Sequence, residues 1–439
     1  IYTLSLHDAL PISSPFILFI ILCILIYLPP IQNFLVDKAA VYASEATGMN
    51  ISVGRISLSF PLNLVVTDVD AASPHKDTLL SVRRLQVNVQ LLPLLKKQVE
   101  VDGISLQGAT VNSNDLIHGM RLNGTLGELF ISSHGVALDP ETAIVNKVLL
   151  KDTDLSLCLN DTAAADTAAS DPTYWKIILQ DIDLQNVSFA LDMPLDSLSL
   201  AASLDNATLR DGLIDLHKSA YSLQTFRIKN GRVRYDSGRP SATASADSLS
   251  AGLDPSHIAL TDIGVKLDSL YYEGRNMKAV ISQFVLKERS GVEIVSTEGR
   301  LVSNDKVLRV PSLKLETRDS YLELNAAMDW DALDFKKEGL VSARLMADIG
   351  KPDVVRFMGS MDEKFIRKYP SEPLRIRTGI DGDLNKLKLT TLTAELPGAL
   401  ELFAKGELTS LTDSLLRGGD ITLQAETKDL KFISTSAEI

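Results

Sequence analysis

Only two cysteines, Cys23 and Cys158, occur in 439 residues, so no disulfide framework is available and the fold must hold itself by burial. The six histidines, His7, His75, His118, His134, His217 and His257, show none of the i, i+4 or Cys-x-x-Cys spacings that gather ligands around one metal. There is no Gly-x-Ser-x-Gly elbow, no phosphate-cradling glycine loop and no zincin His-Glu pair, so no catalytic class is indicated and no cofactor is implied. The stretch "DGDLNKL" (Asp381 to Leu387) has some EF-hand character but lacks the remaining acidic ligands and the terminal Glu. Positive charge is also scarce: the net charge is -12 and no dense Lys/Arg block appears, which argues against a nucleic-acid partner held by bulk electrostatics. The pairs Arg83-Arg84 and Lys96-Lys97 read as solvated strand ends, with a lipid-headgroup contact as the alternative.

Aromatic residues are few, at 6%, and the apolar content is carried by Leu, Val and Ile alternating with Ser, Thr, Asp and Asn. That is the composition of a mainly β protein with aliphatic buried surfaces.

A long membrane-spanning run is missing as well. "FILFIILCILIYL" (Phe16 to Leu28) holds thirteen consecutive apolar residues before Pro29-Pro30. As a helix it covers about 20 Å, against a hydrocarbon core of about 30 Å. No Lys or Arg precedes Leu28, so the positive-inside rule has no flank to act on. No small-x-small cleavage site follows, which disfavours a signal peptide. Residues 1–12, "IYTLSLHDALPI", resemble one translated frame of a short-read sequencing adaptor, and 13–30 then read as a truncated membrane anchor with Phe16, Ile20, Leu25 and Leu28 in it.

What the chain does contain is a change of period. Ile31, Phe34, Leu35, Val41 and Tyr42 are spaced for an amphipathic helix over 31–48 that stops near Gly48. From residue 49 the period is two, as in "RLQVNVQLLPLL", where Leu85, Val87, Val89 and Leu91 alternate with Gln86, Asn88 and Gln90. A first β region covers 49–160, an Ala/Asp/Thr-rich loop 161–173, and a continuing β region 174–439. One long helical pattern interrupts it between Lys351 and Pro370. "GISLQGATV" (Gly103 to Val111) matches "DIDLQNVSF" (Asp181 to Phe189), "FRIKNGRVRY" has a similar shape, and Gly-x-Leu-x-x-Leu occurs at Gly124, Gly382 and Gly406. These patterns favour stacked β units.

The order of anchor, short helix ending in "TG", strand "ISVGRISLSFPLNLVVTDV", turn "DTLLSV" into "LQVNVQLLPLL", and "ISLQGATV" resembles the N-terminal part of the AsmA-like superfamily. The resemblance covers about Phe16 onward and is densest from Pro29 to Val111. It implies a transmembrane helix followed by an elongated, curled sheet of the β-taco or β-helix type, with an apolar groove and few helices. It also implies a single-pass inner-membrane protein with its bulk in the periplasm of a Gram-negative envelope, active in outer-membrane biogenesis as a phospholipid conduit. The partner implied is an outer-membrane barrel protein of the BamA/TamA type, reached through a C-terminal region that this sequence lacks. On that reading Leu85, Val87, Val89, Leu91, Ile104, Leu106, Ile182 and Leu184 are candidates to line the groove and meet acyl chains. The same alternation also fits one half of a closed sandwich core. Two other functions stay open: a scaffold that assembles or secretes outer-membrane proteins through exposed sheet edges, and an envelope adhesin or spacer.

Overall fold

The computed structural model describes residues 38–428 apart from 39, 43, 46, 60–62, 74–76, 91–100, 114–118, 138–140, 161–173, 239–251, 334–336, 338, 359–362, 384 and 412–415. The protein is mainly β, and its contacts divide it into two units. One comprises residues 1–164 with 185–189, the other 165–184 with 190–439.

The described helical residues before the first strand end at Gly48. Its φ of 69° suits glycine, and its N–H returns to the Ser44 carbonyl at 2.9 Å, an ordinary helix stop. The Ser44 hydroxyl then accepts the Ile51 N–H at 3.0 Å and ties the helix end to the first strand. The anchor residues Phe16, Ile20, Leu25 and Leu28 lie outside the described residues. Among the described residues no helix is long and apolar enough to cross a membrane.

The first unit is an antiparallel meander of β1 (Asn50–Ser59), β2 (Asn63–Ala72), β3 (Thr78–Val89), β4 (Val101–Asn112), β5 (Met120–Ala137) and β6 (Thr142–Leu159), each paired with the next. Strand β7 (Lys176–Met193) contributes residues 185–189 to this unit and the rest to the second.

In the second unit, β8 (Leu198–Asp215) pairs with β9 (Ala220–Leu223) and β10 (Thr225–Ser237), and both of these pair in turn with β11 (His257–Glu273). So β9 and β10 act as one interrupted strand between β8 and β11. The meander continues through β12 (Asn276–Glu288), β13 (Glu293–Ser303), β14 (Val307–Thr317), β15 (Tyr321–Asp329), β16 (Leu340–Ile349), β17 (Leu374–Asp383), β18 (Lys386–Leu396), β19 (Leu400–Thr409) and β20 (Gly418–Thr427). Turn chemistry closes the hairpins. Asn304 Oδ1 accepts the N–H groups of Lys306 and Val307 at 2.9 Å each, and Asp383 Oδ1 accepts those of Asn385 and Lys386 at 2.7 and 2.8 Å. Asp383 of "DGDLNKL" is thus the turn residue of the β17–β18 hairpin.

The helical pattern read between Lys351 and Pro370 forms helices at Lys351–Met358 and Glu363–Lys368. They carry the one compact apolar core of the described residues, where Val354 and Phe365 pack with Tyr369, Leu396, Ala399, Leu374 and Leu400. The fully buried Asp353 anchors the first helix. It accepts from the hydroxyls of Thr317 and Ser320 and from Arg356 Nη1 at 3.0 Å, while Arg356 also bridges to Asp319 at 2.9 Å.

Candidate functional site

The first unit gathers its apolar side chains on one face, and the register shows how. Directly opposed residues across β1 to β6 form a row of Ile56, Val66, Leu85, Leu106, Leu129 and Leu150. A second row, two residues along each strand, is Leu58, Leu64, Val87, Ile104, Ile131 and Val148. Opposed residues share a face, so twelve aliphatic side chains make one continuous surface. The reverse face at the same height carries Thr67, Arg84, Gln107, Glu128 and Lys151. One face is hydrocarbon; the reverse face is mixed, since its row between the two apolar ones is Ser57, Val65, Gln86, Ser105, Phe130 and Leu149.

Toward the other strand ends the apolar face continues as Val53, Val69, Val82, Ala109, Leu126 and Thr153, then Ile51, Ala71, Leu80, Val111, Gly124 and Leu155. Between the two pairs of rows each strand skips one extra position, so strict alternation would have put these residues on the wrong face. A line of left-handed residues makes the correction. Asp68, Gly108 and Asp152 have φ of 53°, 62° and 49° on β2, β4 and β6, and Asn186 on β7 has 52° and donates to Asp152 Oδ1 at 2.8 Å. Each left-handed residue interrupts the extended conformation of its own strand, and the pairing stays one against one across it: Thr67 opposes Arg84 and Val69 opposes Val82 on either side of Asp68.

The residues facing this line must be small or long and bendable. A Cβ on Gly54 would lie 2.9 Å from Asp68 Cβ, and one on Gly127 2.8 Å from Asp152 Cβ. Gly108 itself lies against the Arg83 side chain. The repeat noticed in the sequence is this crease: Ile104, Leu106, Gly108, Ala109 and Val111 on β4 take the same phase as Ile182, Leu184, Asn186, Val187 and Phe189 on β7.

The other pattern, Gly-x-Leu-x-x-Leu, also has a steric cause. A Cβ at Gly124, Gly382 or Gly406 would sit 2.2, 2.2 or 2.1 Å from the carbonyl oxygens of Asp154, Lys386 and Asp420 on the neighbouring strand. All three glycines stand in apolar rows, where strands approach most closely.

The second unit repeats the arrangement. One row of its apolar face is Leu313, Leu324, Leu345, Thr378, Leu392, Ala404 and Leu423, and its neighbour is Leu315, Leu322, Ala347, Ile376, Ala394, Leu402 and Ala425. Asn230 and Asp262, with φ of 53° and 52°, supply the left-handed positions of β10 and β11.

In the first unit the close backbone contacts of β1 to β6 run along the ladder, each strand with its neighbour. The twelve central side chains of the apolar face are half-buried, and among the described residues of the unit the fully buried apolar side chains are Ala71, Leu79 and Val82. A sandwich core would have buried all of them.

Four of the eight groove candidates, Leu85, Val87, Ile104 and Leu106, come together at the centre of this face. Val89 is half-buried opposite Val101, past a register shift at Asn88. Ile182 and Leu184 are half-buried on β7, and Leu91 lies outside the described residues. Sequence reasoning missed Ile56 and Leu58, which alternate, and Leu64, Val66, Leu129, Ile131, Val148 and Leu150, which stand in unbroken apolar triplets where alternation cannot choose a face; what was lacking was the pairing. Among the described residues no group of His, Cys, Asp and Glu is arranged to hold a metal, and Cys158 is a half-buried free thiol. No family model matches the chain, and no curated protein is a significant match to it.

Proposed function

We propose that this chain is an inner-membrane-anchored, AsmA-like protein of the TamB type that carries phospholipid acyl chains between the membranes of a Gram-negative envelope. The observation that supports this reading is the continuous, half-buried aliphatic face of the first unit.

A mobile acyl chain needs a surface without unpaired backbone groups. A sheet supplies it, because the ladder consumes N–H and C=O while every side chain on the face is hydrocarbon. Six strands about 4.8 Å apart give a lane of about 24 Å across the first unit. That exceeds the depth of one leaflet, about 15 Å, so a whole acyl chain fits along it. At about 0.8 kcal/mol per buried methylene the chain is held by many equal contacts, with none to pin it in place.

The test is mass spectrometry of lipids that co-purify with the protein, comparing Val87→Asp with Gln107→Asp on the reverse face. Phospholipid lost from the first variant and kept by the second supports the conduit. Absence of phospholipid from the unmodified protein overturns it.

One feature favours a second reading, the scaffold for outer-membrane proteins. Strand β20 is exposed along its whole length, with Ile421 and Leu423 at 46% and 60%, and its described ladder runs to β19 alone. Such an edge can add a strand from another chain.

A further inference from the structure

The face of the second unit opposite its apolar rows carries a stripe of cations on β10. Alternation pairs Arg227 with Lys229 and Arg232 with Arg234, the irregularity around the left-handed Asn230 brings both pairs to the same side, and all four are exposed. Only Arg234 has an acidic partner there, Asp236 at 2.7 Å; among the described residues Arg227, Lys229 and Arg232 make no hydrogen bond or ion pair. Their opposite numbers on β8 are Thr208, Asn206, Ser203 and Ala201, short and uncharged, so the cations stand above a low floor. Across the other ladder Arg227 directly opposes Lys266. Like charges in that position cost stability, and in a chain of net charge -12 nothing in the fold requires them.

We propose that this stripe is a binding site for an extended acidic peptide segment of a partner protein. Within each pair, Arg227 with Lys229 and Arg232 with Arg234, the cations lie ~6.6 Å apart, the spacing of alternate carboxylates on an extended peptide, and the two pairs are separated by ~10 Å along the strand. Arg227 to Arg234 spans about 23 Å, the length of about eight extended residues. A bilayer surface fits less well, because the right-handed twist of the strand turns successive cations about its axis, and an extended peptide can follow that turn. Both edges of β10 are already paired, so recognition runs through side chains and not through an added strand.

The test uses the full chain and a fluorescein-labelled octapeptide of alternating Glu and Ser, read by anisotropy at two salt concentrations. Expected is salt-sensitive binding that falls at least tenfold in the variant Arg227→Gln, Lys229→Gln, Arg232→Gln, Arg234→Gln. A control with Arg300→Gln, Arg309→Gln, Lys314→Gln and Lys405→Gln, also exposed residues, has the same net charge and keeps its affinity within twofold. Far-ultraviolet circular dichroism of both variants shows that the sheet is retained. No binding by the unmodified protein, an equal loss in the control, or tighter stripe-dependent binding to phosphatidylglycerol vesicles than to the peptide would each overturn the proposal.

Discussion

At the scale of single residues, the crease is where the sheet spends conformational energy. A left-handed conformation costs an ordinary residue about 1–2 kcal/mol, and Asp, Asn and Gly tolerate it best. Those are the residues at 68, 108, 152, 186, 230 and 262. Gly124, facing the neighbouring strand, is constrained by approach alone, whereas Gly382 and Gly406 also have φ of 139° and 156°. Gly124→Val should lower the stability of the first unit by about 2 kcal/mol, since its Cβ would meet the Asp154 carbonyl at 2.2 Å and the strands must separate. Urea unfolding followed by circular dichroism measures this, and Thr125→Val on the reverse face should leave the midpoint almost unchanged. The repeat shared by residues 103–111 and 181–189 was visible in the sequence, but its reason was not. Gly108 and Asn186 read as ordinary turn-formers until their dihedral angles show them inside strands, reversing the phase.

At the scale of elements, the helix Lys351–Met358 behaves differently from the strands, which are held by many weak opposed pairs. It hangs on one buried carboxylate. Asp353→Ala would strand Arg356 and the hydroxyls of Thr317 and Ser320, costing about 3 kcal/mol, near the low end for a broken buried pair because Arg356 keeps Asp319. Hydrogen exchange should then show lost protection over residues 351–358 while β3 and β4 keep theirs. The helical period and Pro352 were legible from the sequence, the role of Asp353 was not. An acidic residue in a first turn ordinarily reads as a solvated dipole partner, and only the hairpin turn at 317–320, far off in sequence, makes it a core residue.

At the scale of the whole molecule, each unit keeps one side hydrocarbon, over strands distant in sequence, while the other side is mixed. Conduction predicts a graded response to where a charge is placed. Leu106→Asp, at the centre of the lane, should strip most bound phospholipid, whereas Leu58→Asp on the outermost strand should retain a larger fraction; lipid per mole of protein, by mass spectrometry, checks the order. Strand alternation made the mainly β class and four central lining residues legible from sequence. The remaining lining residues were not, because membership of a face depends on pairing between strands, and a slip of one residue exchanges the faces.

The crease also bears on how the sheet finds its register. Every strand of the first unit carries its notch at the same height: Gly54, Asp68, Arg83, Gly108, Gly127 and Asp152 face one another in sequence. Uniform aliphatic strands could slide by two residues and still match hydrocarbon to hydrocarbon. With the notch present, that slide brings a branched or bulky side chain against a left-handed neighbour and breaks the phase on one side of it. The line of Asp, Asn and Gly thus works as an alignment key, admitting a new strand in one position along the growing ladder and rejecting the near-degenerate alternatives.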